Sequence, residues 1–353
     1  TIVKNVSRIF PSKTFTAPIS IMWSIPGLLP VVSMSTTVNG TLENMLKSMY
    51  MKPLLFTTWN NTNSWLLVSA FIALLAAVII HFSIRSRPWM RGVRSYVGSF
   101  KNWTPTVLRV LTGLVLFLGS FARFLFAPEL TSTIFPVVSE RVFLAIQLLA
   151  GIMLVIGIFP RFSSLMGLVL YIIAALAYPA LNVLPYIAFV GIFVYLILVG
   201  DSHLPRVRGG TFFADFADIF ELEKFAPYAM AIMRIFTTFS FVLVALFYNM
   251  YNSETALSAL RTHGVDFNST IGVSNEVFIL FSSVSGILLG VLILFGILPR
   301  FVGGILLIIL LFNMSMFGVY NFIGNLPLFG VAFALLVNGA GEKWSPELKK
   351  KKA

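Results

Sequence analysis

Gly151-Ile-Met-Leu-Val-Ile-Gly-Ile-Phe-Pro-Arg-Phe162 returns as Gly290-Val-Leu-Ile-Leu-Phe-Gly-Ile-Leu-Pro-Arg-Phe301. Gly157, Pro160, Arg161 and Phe162 match Gly296, Pro299, Arg300 and Phe301. In each copy an apolar segment runs into Gly-x-x-Pro-Arg-Phe and a second apolar segment begins at once. Proline suits a first helical turn, where its missing N–H would have no partner anyway. The arginine marks the point where the chain leaves hydrocarbon. The stretch therefore predicts a tight helix–turn–helix hairpin at one membrane face, used twice.

Composition agrees with a membrane setting. The chain is 58% hydrophobic and 11% charged, with mean hydropathy +0.92. Apolar runs of about 20 residues recur along it, each long enough to cross a bilayer as a helix. Their polarity does not alternate at every second residue, as strands of a membrane barrel would require. The fold class expected is all-α, a polytopic helical membrane protein whose first partner is lipid. The net charge of +12 would suggest nucleic acid for a soluble chain, but here its distribution along the loops matters more, and no nucleic-acid partner is expected. With no cysteine, disulfides and iron–sulfur clusters are excluded. His81, His203 and His263 are too few and too scattered for a haem or a copper cluster, so no haem and no metal are expected.

In chain order, a basic start with Lys4, Arg8 and Lys13 precedes an apolar stretch from Phe15 to about Met34. That stretch resembles a signal peptide, but Pro18, Pro26 and Pro30 favour a retained, bent span. Residues 36–63 read as a polar loop and 64–83 as a second span. The loop with Arg85, Arg87, Arg91, Arg94 and Lys101 is the densest basic one and therefore cytoplasmic by the positive-inside rule. Eight more spans follow, at roughly 105–127, 142–159, 162–180, 185–200, 228–249, 277–298, 301–323 and 326–340, about ten in all. Alternation then puts Arg161, Arg206, Arg208, Lys224, Arg300, Lys343 and Lys349 to Lys352 inside as well. Only Lys47, Lys52, Arg141 and Arg261 fall outside. The expectation is a multi-pass plasma-membrane protein with both termini cytoplasmic. Sequons at Asn39, Asn60 and Asn268 lie outside and those at Asn5, Asn102 and Asn313 do not, a division close to chance.

The repeat extends beyond the hairpin. Leu108-Arg109-Val110-Leu111-Thr112 matches Met233-Arg234-Ile235-Phe236-Thr237, Val142-Phe143 matches Val277-Phe278, and Leu184-Pro185 matches Leu326-Pro327. Each unit has four spans, over about 105–201 and 228–340, and both begin on the cytoplasmic side, so the copies are expected to be parallel. The chain then divides into an N-terminal two-span hairpin (1–104), a first unit (105–226) and a second unit with a basic tail (227–353). The unit resembles the DoxX/DoxD family of membrane proteins. Arg109, Gly113 and Gly119 on the first helix, then Gly151, Gly157 and Arg161 around the turn, carry the likeness. The resemblance implies a membrane subunit of a respiratory redox complex, of the type found in thiosulfate:quinone oxidoreductase. It also implies a quinone as cofactor and other subunits as partners. Family members often carry an acid early in helix two. Here that region holds Gln147 in one copy and Ser282-Ser283 in the other, which argues against catalysis by this chain.

Ionisable residues inside a bilayer are costly, about 2.5–3.5 kcal/mol at the centre on insertion scales, and each needs a reason. Arg123 follows Arg109 by fourteen residues, about 21 Å along a helix and near the same face. Either the two snorkel to opposite headgroup layers, or they form a polar stripe that binds an anion or a quinone carbonyl. Arg234 repeats Arg109 and Tyr248 replaces the second arginine, so the first unit is the expected site. Gln147 and Asn313 read first as interhelical hydrogen-bond glue and second as ligand contacts. Tyr171, Tyr178 and Tyr320 read as interfacial belt residues or as donors to a quinone oxygen. Gly286 and Gly290 form a close-packing seam. Two other functions stay open beside the redox subunit: a structural or assembly subunit, and a transporter built on the parallel repeat.

Overall fold

The computed structural model describes residues 95–200, 222–262, 264–317 and 323–339, with a few isolated positions besides. The two N-terminal spans, the basic loop from Arg85 to Arg94, Arg206, Arg208, Tyr320 and the lysine tail lie outside those ranges. The described residues are predominantly helical, with turns and loops between the helices and an isolated antiparallel bridge between Phe124 and Thr131.

Eight apolar helical segments follow one another in two sets of four. The first set is α1 (Thr104–Ala122), α2 (Val137–Ile156), α3 (Pro160–Ala177) and α4 (Ala188–Val199), the last entered through short helical turns from Ala180. The second begins with α5 (Ala229–Leu243), which continues as a π-helix over Val244–Tyr251. Two short helices, α6 (Ser253–Thr262) and α7 (Phe267–Ile271), precede α8 (Asn275–Phe295), α9 (Pro299–Phe317) and α10 (Leu326–Asn338). Among the described residues six segments are long and apolar enough to cross a membrane, and Pro299–Ser315 and Ile323–Asn338 are shorter apolar helices. The protein is thus a membrane-embedded chain, all-helical in its regular structure among the described residues.

The quoted stretch folds the same way in both copies. α2 and α8 end at Gly157 (φ 90°) and Gly296 (φ 64°). Phe159 and Leu298 then take left-handed backbone (φ 48° and 49°), and proline opens α3 and α9. Two left-handed residues in four reverse the chain within one turn. For Phe159 and Leu298 that conformation costs on the order of 1–2 kcal/mol, which the packing of the hairpins must offset.

α1 packs on α2 and α3 on α4; α5 packs on α8 and α9 on α10. Across the halves, α1 lies against α10 and α4 against α5. Glycines set those crossings. A Cβ on Gly330 would stand 3.2 Å from the Leu108 Cα, and a Cβ on Gly191 would stand 3.2 Å from the Met233 Cα. Half or more of the spans containing α1, α4 and α5 is buried, against 28% for α2 and 33% for α3. The former build the centre, with Leu108, Ile192, Phe193, Phe241, Val331 and Leu335 in its core. α2 and α3 turn Val142, Leu149, Ile152, Val169, Ile172 and Leu176 outward, the face a bilayer would cover.

The first helix of the bundle corrects one expectation. Its apolar pattern runs to residue 127, yet α1 stops at Ala122 and Arg123 takes φ 61°. The residues that follow, Phe124 to Ala127, pack inward as a loop and are 0–1% exposed. They satisfy the same hydrophobic demand as a helix in lipid would, so periodicity alone could not separate the two. The seam expected at Gly286 and Gly290 packs on α5 and its π-helical continuation: a Cβ on Gly286 would stand 3.6 Å from the Ala245 Cβ, and one on Gly290 3.3 Å from the Val242 Cγ2.

Candidate functional site

Arginines cluster at one end of the bundle, the end of the two hairpin turns, and there they meet helix C-termini. Arg234, 1% exposed, donates through Nε to the Ile293 carbonyl at 2.8 Å and through Nη2 to the Leu294 carbonyl at 2.5 Å. Both carbonyls belong to the last turn of α8, whose orphan acceptors and negative dipole end favour a cation. Arg109 sits equivalently against the end of α2, where a Cβ on Gly157 would lie 1.4 Å from its Nη1. The hairpin arginines do the same for the fourth helices. Arg300 Nη2 donates to the Val337 carbonyl at 3.5 Å, and Arg161 Nε lies 3.2 Å from where a Cβ on Gly200 would stand. Each unit therefore has two arginine latches, one closing helix two and one closing helix four.

Arg123 is not the second member of a stripe with Arg109. Beyond the end of α1 it forms a two-pronged ion pair with Glu140, at 2.8 Å from Nη2 to both carboxylate oxygens. Arg123 keeps 61% of its side chain exposed and Glu140 only 4%. The Ser132 hydroxyl also donates to Glu140, at 2.6 Å. This overturns the expected lack of an acid early in helix two. α2 begins ten residues before Gln147, and Glu140 lies in its first turn, as Glu276 does in α8.

The remaining candidates do not converge on one pocket. Gln147 is fully buried and its amide N–H groups donate to the Leu116 and Phe124 carbonyls at 3.1 and 2.9 Å, fastening the end of α1 to α2. Tyr171 donates to the Val183 carbonyl at 3.2 Å and packs its ring on Phe126, 5.7 Å between centroids. It is a core residue here, not a belt residue. Asn313 is 2% exposed on α9.

At the end opposite the latches, the inward loop creates a polar site that the sequence did not single out. Phe126 inserts among Tyr171, Phe189 and Phe193, which draws the following turn toward the second unit. A Cβ on Gly324 would come 2.9 Å from the Ala127 Cβ. Glu129, on that turn, accepts a hydrogen bond from the Tyr186 hydroxyl at 2.7 Å. Tyr248, 5% exposed and on the π-helical segment, lies within electrostatic reach of both. Its hydroxyl has no hydrogen-bond partner among the described residues. Burial pushes the Glu129 carboxyl up to about 7, its bond from Tyr186 offsetting only part of the desolvation.

Beside Tyr186 lies a cavity of about 20 Å³, room for about one water. Pro185, Phe189 and Ile192 line it from the first unit, Ser240 and Val244 from α5, and Asn325 and Leu328 from the start of α10. The Ser240 hydroxyl donates to the Pro185 carbonyl, joining the units across the cleft. A carboxyl, phenols and an amide thus meet where the two units touch. The only sequence signal was a lone acid within the apolar run Phe124-Leu-Phe-Ala-Pro-Glu-Leu130. No group of three or more metal-ligating side chains occurs among the described residues. No family model matches the chain, and neither does any curated protein or any solved structure.

Proposed function

We propose that the chain is an integral membrane subunit of a quinone-linked respiratory redox complex, built from two DoxX-like four-helix units lying parallel in the bilayer. The observation that carries this reading is the repeated latch. Arg109 and Arg234, and Arg161 and Arg300, meet the same helix ends in the two halves, and Arg109 and Arg161 are among the residues that carry the family likeness. Parallel orientation has its own support. Asn338, at the end of α10, donates to the Thr104 hydroxyl at the start of α1, at 2.8 Å. Alternation within the second unit returns α10 to the face where α5 starts, so α1 and α5 start together. Glu140 adds the early acid of helix two.

In this reading Glu129 and Tyr186, at the cleft between the units, would face a quinone head, and they would supply and take up the protons of its redox chemistry. A cavity the size of a water admits a ring only when Phe189 and Leu328 move apart. The test is to purify the chain with whatever partners it retains and assay thiosulfate-dependent quinone reduction. Turnover that Ile192→Trp abolishes and Arg123→Lys leaves intact supports the reading. Absence of turnover in every preparation that keeps its partners removes it. The latches also favour a second reading, an assembly subunit, because all four arginines stiffen the fold. That reading expects tight co-purification together with full tolerance of Ile192→Trp.

A further inference from the structure

The cleft carries an inference that goes beyond the quinone reading and stands without it. We infer that Glu129, Tyr186 and Tyr248 form a proton-exchange site between the two units, at the end of the bundle away from the arginines. Three observations converge on it. Glu129 is the acceptor in a 2.7 Å hydrogen bond with Tyr186. The Tyr248 hydroxyl is buried nearby with no described partner, on backbone that widens from α to π geometry at that point. π-Helical turns recur at functional sites because they re-aim side chains out of helical register. The third is the cavity that Tyr186 lines, with room for about one water.

Polar and ionisable groups stand on each element around Glu129. Its own loop carries Arg123, which is committed to Glu140 of α2. Tyr178, at the end of α3, donates to the Thr131 carbonyl, and Tyr171 to the Val183 carbonyl. The turn before α4 supplies Tyr186, the π-helix supplies Tyr248, and the turn before α10 supplies the neutral Asn325. No arginine or lysine is among the causes acting on the Glu129 carboxyl, so its charge is opposed mainly by burial. A proton added to Glu129 leaves the carboxyl neutral and able to donate, and the Tyr248 hydroxyl oxygen offers an acceptor. A proton lost leaves a carboxylate held by Tyr186. In protonation an O–H bond of hydronium breaks as the carboxyl O–H forms, leaving water and a neutral carboxyl; deprotonation returns the proton to water and restores the carboxylate.

The experiment is infrared spectroscopy of the full chain in lipid nanodiscs, following the carboxylic-acid carbonyl band against pH. The expected result is a band that titrates across the neutral range and is missing in Glu129→Gln. In Tyr186→Phe, which removes a donor to the carboxylate, its midpoint moves to higher pH. Persistence of the same titrating band in Glu129→Gln overturns the inference. Should that variant not fold, Tyr186→Phe and Tyr248→Phe decide it: a midpoint unchanged in both overturns it equally.

Discussion

Arg109 fills the place where a side chain on residue 157 would begin: a Cβ there would stand 1.4 Å from the guanidinium Nη1. The glycine and the arginine, 48 positions apart, are one device. Gly157 turns the chain with φ 90°, and the turn exposes the last carbonyls of α2 to a cation arriving from α1. The motif that marks the repeat is therefore a description of one contact, seen from both of its sides.

Gly157→Ala should unfold that device. Left-handed backbone at alanine costs about 1–2 kcal/mol, and an expelled guanidinium leaves a buried helix end and a buried charge uncompensated, at about 1–3 kcal/mol more. The variant should lose most of its thermal stability in detergent, and Arg109→Ala in the same background should recover part of it. Equal stability of Gly157→Ala and the parent protein would show that the contact is dispensable.

Arg234→Lys should be much worse than a conservative exchange. Two carbonyls, of Ile293 and Leu294, share one planar fork, and an ammonium reaches them only as a point charge. Losing one charge-assisted bond costs about 1.5–3 kcal/mol. Melting curves of Arg234→Lys and Arg234→Ala should both fall well below the parent, with Lys retaining a minor part of the difference.

Neighbouring glycines on α9 should respond with opposite sign. A Cβ on Gly303 would lie 2.6 Å from the Ala332 carbonyl oxygen and 2.7 Å from the Leu336 nitrogen, whereas at Gly304 nothing stands within 4 Å. Gly303→Ala pushes α10 off α9 and should cost about 1–3 kcal/mol, as overpacking does. Gly304→Ala gains helix propensity of up to about 1 kcal/mol. Thermal denaturation of the two single variants checks both signs at once.

The part of the architecture written locally could be read from the sequence. Apolar runs, the Gly-x-x-Pro-Arg-Phe turn and the Arg109/Arg234 correspondence depend on residues close in sequence or repeated in it. Arg123 was misplaced because nothing in Ser120-Phe-Ala-Arg123 forbids a helix. The stop comes from Glu140 and Ser132, which hold the side chain and the backbone carbonyl of Arg123 from beyond the loop. Glu140 itself was missed because Ser139-Glu140-Arg141 breaks the apolar run near the start of α2 and looks like loop by hydropathy. Glu129 beside Pro128 resembles an ordinary turn acid. Only the burial of Phe126 reveals that the turn reaches the second unit, and that burial is a tertiary fact.

Gln147 and Glu129, both near the far end of α1, should separate structure from chemistry. Gln147→Leu keeps the volume but leaves the Leu116 and Phe124 carbonyls unmet, a loss of about 1–3 kcal/mol for buried acceptors. Its pH profile of stability should be the parent's, shifted down. Glu129 acts through protonation instead. Its folded value, about 7, lies above the ordinary 4.5, so between those pH values the folded state binds more protons than the unfolded one. Stability from this group is complete below about 4.5, falls as pH rises toward about 7, and is flat above it. Glu129→Gln should remove that slope while leaving the latches and their melting transition in place. Melting temperatures across this range, measured on the parent, Gln147→Leu and Glu129→Gln, give the comparison. A parent curve that is flat between those limits, or a slope that survives in Glu129→Gln, would mean that the carboxyl is ionised in the folded protein and that its burial is not what sets its charge.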